Sequence, residues 1–182
     1  MAHKTNLKLL LILVFSLGIF LINQNNIVLA QSSYVLPYPS AMPGSIFYRV
    51  NLVKDELYKY WYFGDFGQFK YSLRMSDKYL VESKTLFEYK QYLLGYQALL
   101  SSDAYFSRTN PALISASEKG KNISEKKNIL KEAAGKHVEE LKQMKLIIPE
   151  RFHWTPEKKM PTDLGLWDKI DNSINLRKKN YD

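Results

Sequence analysis

At 182 residues, 46% hydrophobic and 24% charged, the chain has the composition of one ordinary globular domain with enough apolar material for a core. It has no cysteine, which excludes disulfides, thiolate metal sites, cysteine nucleophiles and a lipid-modified cysteine behind a leader. Lysine and arginine outnumber aspartate and glutamate by 26 to 18, a formal +8 that becomes +6 without Lys4 and Lys8; the excess is scattered, and it bears on solubility and association rather than on fold.

His3, Lys4 and Lys8 precede an apolar run from Leu9 to Ile22, and after a polar break Val28, Leu29 and Ala30 lead to Gln31. This is the pattern of a secretory signal peptide over residues 1–30, cleaved after Ala30. The run is shorter than the roughly 20 residues of a membrane-crossing helix. The alternative is an uncleaved anchor from Leu7 to Ala30, which would carry Asn23, Gln24, Asn25 and Asn26 near or into hydrocarbon at a cost in unpaired polar groups. Residues 31–44 are rich in Ser, Tyr and Pro, and Pro37, Pro39 and Pro43 each fix φ and remove a donor, so an extended segment is expected.

Ser45 is the expected N-cap of a first helix running to about Tyr62, with Ile46, Val50, Val53, Leu57 and Tyr60 or Trp61 on its core face. Asp55 and Lys59 are spaced to pair on its other side. Gly64, Asp65 and Gly67 then make a corner. Asp65, Phe66 and Gly67 spell a kinase magnesium motif, but no glycine-rich loop or catalytic-loop signature accompanies them. A long helix follows, because Phe66, Phe69, Leu73, Ser76, Leu80, Ser83 and Phe87 recur at spacings of three and four. Lys70, Arg74, Asp77, Lys78, Glu82, Lys84 and Glu88 are expected on its wet side, with Asp77 lining that side beside Glu82 rather than forming a buried pair.

A turn near Glu88 to Gln91 separates this helix from the next, which holds the period through Tyr96 and Leu99 or Leu100 to about Phe106, with Gly95 and Ala98 small enough to admit a neighbour. Ser107 to Asn122 is polar and contains Pro111 and Gly120, so a connection with at most a short helical turn is expected. From Ser124 to Lys145, the residues Leu130, Ala133, Ala134, His137, Val138, Leu141 and Met144 fall on one helical face, and Glu132 and Lys136 are spaced to pair. Beyond Pro149, residues 149–182 read as an irregular arm lying on the bundle, with a short helix around Leu166, Trp167 and Ile170 and a basic, frayed tail from Arg177. The expected fold class is therefore all-α, a bundle of about four main helices over residues 45–148 behind the N-terminal leader.

The run Leu36-Pro37-Tyr38-Pro39-Ser40, followed by Met42-Pro43-Gly44-Ser45 and Phe47-Tyr48, opening a helix with Leu52, Lys54 and Leu57, resembles the bacterial family "domain of unknown function 5667". Asp77-Lys78-Tyr79-Leu80, and Lys136-His137 with Leu141, fit its helical signatures. The resemblance implies an extracytoplasmic, mostly helical bacterial domain without an assigned activity, and it transfers no catalytic residue.

Little in the chain offers chemistry. With His3 in the leader, a metal or acid/base site has only His137, His153 and carboxylates to draw on; His137 and Glu140 could share a metal, but His137 lies on the apolar seam, where a packed, hydrogen-bonded histidine is the favoured reading. No nucleophile elbow, phosphate loop or dinucleotide fingerprint occurs. The densest aromatic patch, Tyr58, Tyr60, Trp61, Tyr62, Phe63 and Phe66 with Lys54, Lys59 and Lys70, either stacks on sugars or bases, sits at a membrane surface, or seals a helix corner, and sealing is favoured. The candidate interaction surface is Tyr58, Trp61, Tyr62, Lys54 and Lys59. The expected function is that of an exported, non-catalytic protein of the cell envelope or extracellular space with a structural or interaction role, needing no cofactor. Its expected partner is an envelope or extracellular protein or an anionic polymer, with nucleic acid disfavoured and membrane contact only through an uncleaved N-terminus. The alternatives are a binding module for anionic envelope polymers or a membrane surface and, least favoured, a metal-dependent enzyme using His137.

Overall fold

A computed structural model describes residues 33–39, 41–158 and 160–179; the leader expected over residues 1–30 lies outside the described residues. Those residues form an all-α bundle with one small hairpin: α1 (Ile46–Trp61), α2 (Gly64–Glu88), α3 (Tyr92–Phe106), α4 (Thr109–Glu118), α5 (Ser124–Ile147), β1 (Arg151–Trp154), β2 (Thr162–Gly165) and α6 (Leu166–Lys178). α2 is the central rod, packed against α1, α3, α4 and α5. Its expected seam holds: Phe69, Leu73, Ser76, Leu80, Ser83 and Phe87 are all buried. So is much of the expected wet side, because neighbours surround α2; Asp77 and Glu82 are buried, at 5% and 3% exposure, and only Lys70, Arg74 and Glu88 of the seven charged residues remain fully open.

α2 stops where expected. Gln91 N–H donates to Leu86 O (2.8 Å) and Lys90 N–H to Phe87 O (2.9 Å), the paired bonds of a Schellman cap. Lys90 takes the left-handed position of that cap, with φ 59°, which a glycine would occupy without steric cost. α3 then crosses α2 at Gly95, where a Cβ would lie 2.5 Å from two ring carbons of Phe87; Ser83 Oγ donates to Gly95 O across the same contact (2.8 Å).

Three expectations fail beyond α3. The polar connection Ser107 to Asn122 carries a ten-residue helix, α4. Pro111 sits in its first turn, where no intrahelical donor is needed, and Leu113 and Ala116 are buried. The arm after Pro149 is ordered: β1 and β2 pair antiparallel, with Phe152 opposite Leu164, and α6 buries Leu166, Ile170 and Ile174 in the same cluster as Leu80, Phe87, Leu99, Leu141 and Met144. The basic tail does not fray at Arg177, which is 0% exposed. In contrast α5 buries every residue the reading placed on its face, Leu130, Ala133, Ala134, His137, Val138, Leu141 and Met144, and Glu140 besides. Lys136, however, bonds Glu139 and Glu140 (both 3.0 Å) instead of Glu132.

The core has two apolar layers. One is built on Phe69, Leu73, Phe106, Leu113, Leu130 and Ala133, the other on the cluster that α6 joins. Along α2, α3 and α5 the residues between these layers are Ser76 and Asp77, Ser102 and Asp103, and His137, so a polar layer separates them.

Candidate functional site

Helix α1 is inverted relative to expectation. Ser45 caps it, accepting from Phe47 N–H (3.2 Å). Its apolar stripe faces outward, with Ile46, Val50, Val53, Leu57, Tyr60 and Trp61 between 59% and 80% exposed, and Phe47 and Phe63 open beside it. The inward stripe is polar: Tyr48, Asn51, Asp55, Tyr58 and Tyr62 recur at spacings of three and four and are buried or half-buried.

The reason is what α2 offers on that side. Lys78 of α2 pairs with the buried Asp55 carboxylate, and Tyr71 Oη donates to Asp55 O (3.1 Å). Asp55 therefore does not pair with Lys59, which meets Glu56 (3.4 Å) on the surface. Tyr48 Oη donates to Glu82 Oε1 (2.9 Å), while Glu82 Oε2 is buried with no hydrogen-bond partner. Burial dominates there and raises the Glu82 carboxyl above its usual range, against the Tyr48 hydrogen bond and the Lys78 charge. The Arg74 guanidinium covers the Tyr58 ring at 5.1 Å and donates to Tyr62 Oη (3.3 Å). Tyr62, Tyr71, Tyr105 and Tyr79 continue as neighbouring rings 5.8 to 5.9 Å apart, and burial pushes the Tyr79 hydroxyl up to about 12.

This arrangement divides the five residues singled out from sequence. Tyr58 and Tyr62 seal the α1–α2 corner, whereas Trp61, Lys54 and Lys59 stand in solvent. The outward surface also contains Ile46, Phe47, Val50, Val53 and Leu57, which sequence reasoning assigned to the core or passed over. A signal for the inversion exists in the chain: Tyr48, Asp55, Tyr58 and Tyr62 form a second periodic stripe able to hydrogen-bond to α2.

The buried polar layer holds the histidine. Arg177 Nε–H donates to His137 Nδ1 (3.0 Å), and since arginine only donates, the ring proton lies on Nε2, which donates to Asp77 Oδ1 (2.7 Å). Tyr34 Oη donates to Asp77 Oδ2 (2.6 Å), tying segment 33–39 to the same carboxylate. Arg177 also donates to Asp103 Oδ1 (2.5 Å), Ser173 O (3.0 Å) and Ser102 Oγ (2.8 Å), and lies over the Phe106 ring at 5.0 Å. Lys169 and Ser173 complete Asp103, at 2.5 and 2.7 Å. Burial first, then the Arg177 charge, holds His137 below the usual histidine range and keeps it neutral.

Chemically this layer is closed. Both His137 nitrogens are used, its ring is 0% exposed, and neither a proton nor a lone pair is left for a substrate or a metal. Glu140, once a potential co-ligand, is held by Lys84 (2.7 Å) and Lys136 (3.0 Å). Among the described residues no group of three His, Cys, Asp or Glu side chains is placed to hold a metal ion, and no helix is long and apolar enough to cross a membrane. A groove of about 350 Å³ between segment 36–39 and the α2–α5 seam is floored by Leu80 and Met144, and its Lys84 and Glu140 are already paired with each other. A second groove, also about 350 Å³, lies beside α4. The chain matches no family model, no curated protein and no solved structure.

Proposed function

We propose that this protein is an exported, non-catalytic helical module of the bacterial cell envelope or extracellular space, and that it works through the outward face of α1. The observation that carries this reading is the contrast between its two polar and apolar extremes. The groups with chemical potential, His137, Asp77, Asp103 and Arg177, satisfy one another at the centre of the bundle. The apolar stripe of α1 stands exposed instead. A contiguous exposed apolar patch marks an interaction surface in a soluble domain. The leader pattern from Lys4 to Ala30 and the resemblance of Leu36 to Phe106 to domain of unknown function 5667 support export as the setting.

The test is cell fractionation with N-terminal sequencing, comparing the full chain with Val53→Asp. The reading predicts protein beginning at Gln31 outside the cytoplasm, retained on washed envelopes, and released by the substitution. Cytoplasmic protein with an intact Met1, or retention unaffected by Val53→Asp, contradicts it.

A further inference from the structure

We infer that the outward face of α1 docks on the surface of an anionic lipid bilayer, with the helix lying flat and the bundle on the water side. This inference rests on the proposal that α1 is the working surface, and it names the partner. It also supplies a membrane contact independent of the N-terminus.

The stripe has the shape and border of an interfacial helix. At about 100° per residue, Tyr60, Val53, Ile46, Leu57, Val50 and Trp61 fill an arc of roughly 100°. Arg49 and Lys54 lie about 20° beyond its two edges, both exposed. At the C-terminal end Tyr60, Trp61 and Phe63 are 75% to 83% exposed. The one exposed carboxylate of α1, Glu56, is occupied by Lys59. An apolar stripe bordered by cations, with aromatic rings at one end, suits the boundary between anionic headgroups and acyl chains.

The rest of the helix fixes its attitude. Asp55, Tyr48, Tyr58 and Tyr62 are held by Lys78, Glu82 and Arg74 of α2, so the face turned from lipid is already bonded to the bundle. Neither the groove beside α4 nor the one beside segment 36–39 is lined by α1 residues. The formal charge, +8 for the full chain and +6 without Lys4 and Lys8, gives the attraction the right sign at longer range.

The experiment uses the full chain with vesicles of mixed phosphatidylglycerol and phosphatidylcholine, or phosphatidylcholine alone, carrying brominated acyl chains. Because Leu9 to Ile22 can itself enter lipid, the readout is the fluorescence of Trp61 alone, obtained by subtracting the Trp61→Phe variant from the full chain. The expected result is quenching of Trp61 on anionic vesicles that weakens steeply with salt. Leu57→Asp should abolish it, and Arg49→Gln with Lys54→Gln should weaken binding about thirtyfold. Equal quenching on neutral vesicles, or none on either, overturns the inference. So does concentration-dependent self-association that Leu57→Asp abolishes, which makes a second copy the occupant. Absent quenching with envelope retention still lost in Val53→Asp refutes the lipid assignment alone; retention indifferent to Val53→Asp refutes the reading beneath it.

Discussion

Removing Arg177 should be among the most damaging changes to this fold, although sequence places it in a basic tail. The side chain is 0% exposed and makes bonds to His137, Asp103, Ser102 and the Ser173 carbonyl, with its guanidinium over Phe106. Arg177→Ala leaves His137 Nδ1 unpaired in a buried layer and opens a cavity between the two apolar clusters. Breaking a buried ion pair by deleting one partner costs about 3–5 kcal/mol. Lys169 remains on Asp103 at 2.5 Å and limits the loss, while the lost packing on Phe106 adds to it. For a domain of this size, that range lowers the melting temperature by roughly 10 °C. Arg177→Lys should not rescue, because an ammonium cannot span Nδ1 of His137, Asp103 and Ser102 with one planar fork. Urea unfolding followed by circular dichroism, with the exposed neighbour Lys178→Ala as control, reads the effect. A loss within about 1 kcal/mol of the control, whose own change should be under about 0.5 kcal/mol, would refute the polar layer as described.

Three further outcomes follow from individual contacts. Lys90→Gly should stabilise the protein by about 1 kcal/mol, since it relieves the left-handed residue of the α2 cap; a lower urea midpoint would contradict the cap geometry. Gly95→Val drives two methyl groups toward the Phe87 ring and should cost about 3 kcal/mol or more, with Gly95→Ala intermediate, and melting curves of the pair check the α2–α3 crossing. Glu82 supplies a pH signature. Its folded carboxyl binds its proton more tightly than the unfolded one, so wild-type stability should fall relative to Glu82→Gln as pH rises from about 4.3 through the raised folded value. Comparing the two proteins cancels the opposite contribution of His137, whose depressed value makes stability fall as pH drops below about 6.5. A difference that does not change between pH 5 and 7 would place Glu82 in water.

Periodicity read well where a helix has one buried stripe and a partner for it. α5 is the clear case, since the seven positions that its spacing picks out are all buried, with Glu140 the one addition. It read poorly where the question was what covers the stripe. Ile46, Val50, Val53 and Leu57 repeat as regularly as any core face, yet α2 meets α1 with Lys78 and Glu82, and those groups select Asp55 and Tyr48 instead. The same confusion hid Asp77 and Glu82, because a charge on a helix reads as solvated unless its partner is known. The partner of Asp77 is 60 residues away in His137 and 43 away in Tyr34. Arg177 was nearer to legible: Leu166, Ile170, Ile174 and Arg177 are spaced four, four and three, so it continues the buried stripe of α6. α4 was masked by Pro111, although proline in a first turn is compatible with a helix and Leu113 and Ala116 already mark its inner side.

The most direct test of the outward stripe pairs two properties of one variant, the melting temperature of purified Leu57→Asp and its retention on envelopes. The account predicts a stability within about 0.5 kcal/mol of wild type, as for an exposed position, together with lost retention, whereas Leu80→Asp at the buried seam should unfold the domain. A Leu57→Asp protein that unfolds would show the stripe to be core after all, and a folded one that stays on envelopes would show that α1 is not the surface through which the protein acts.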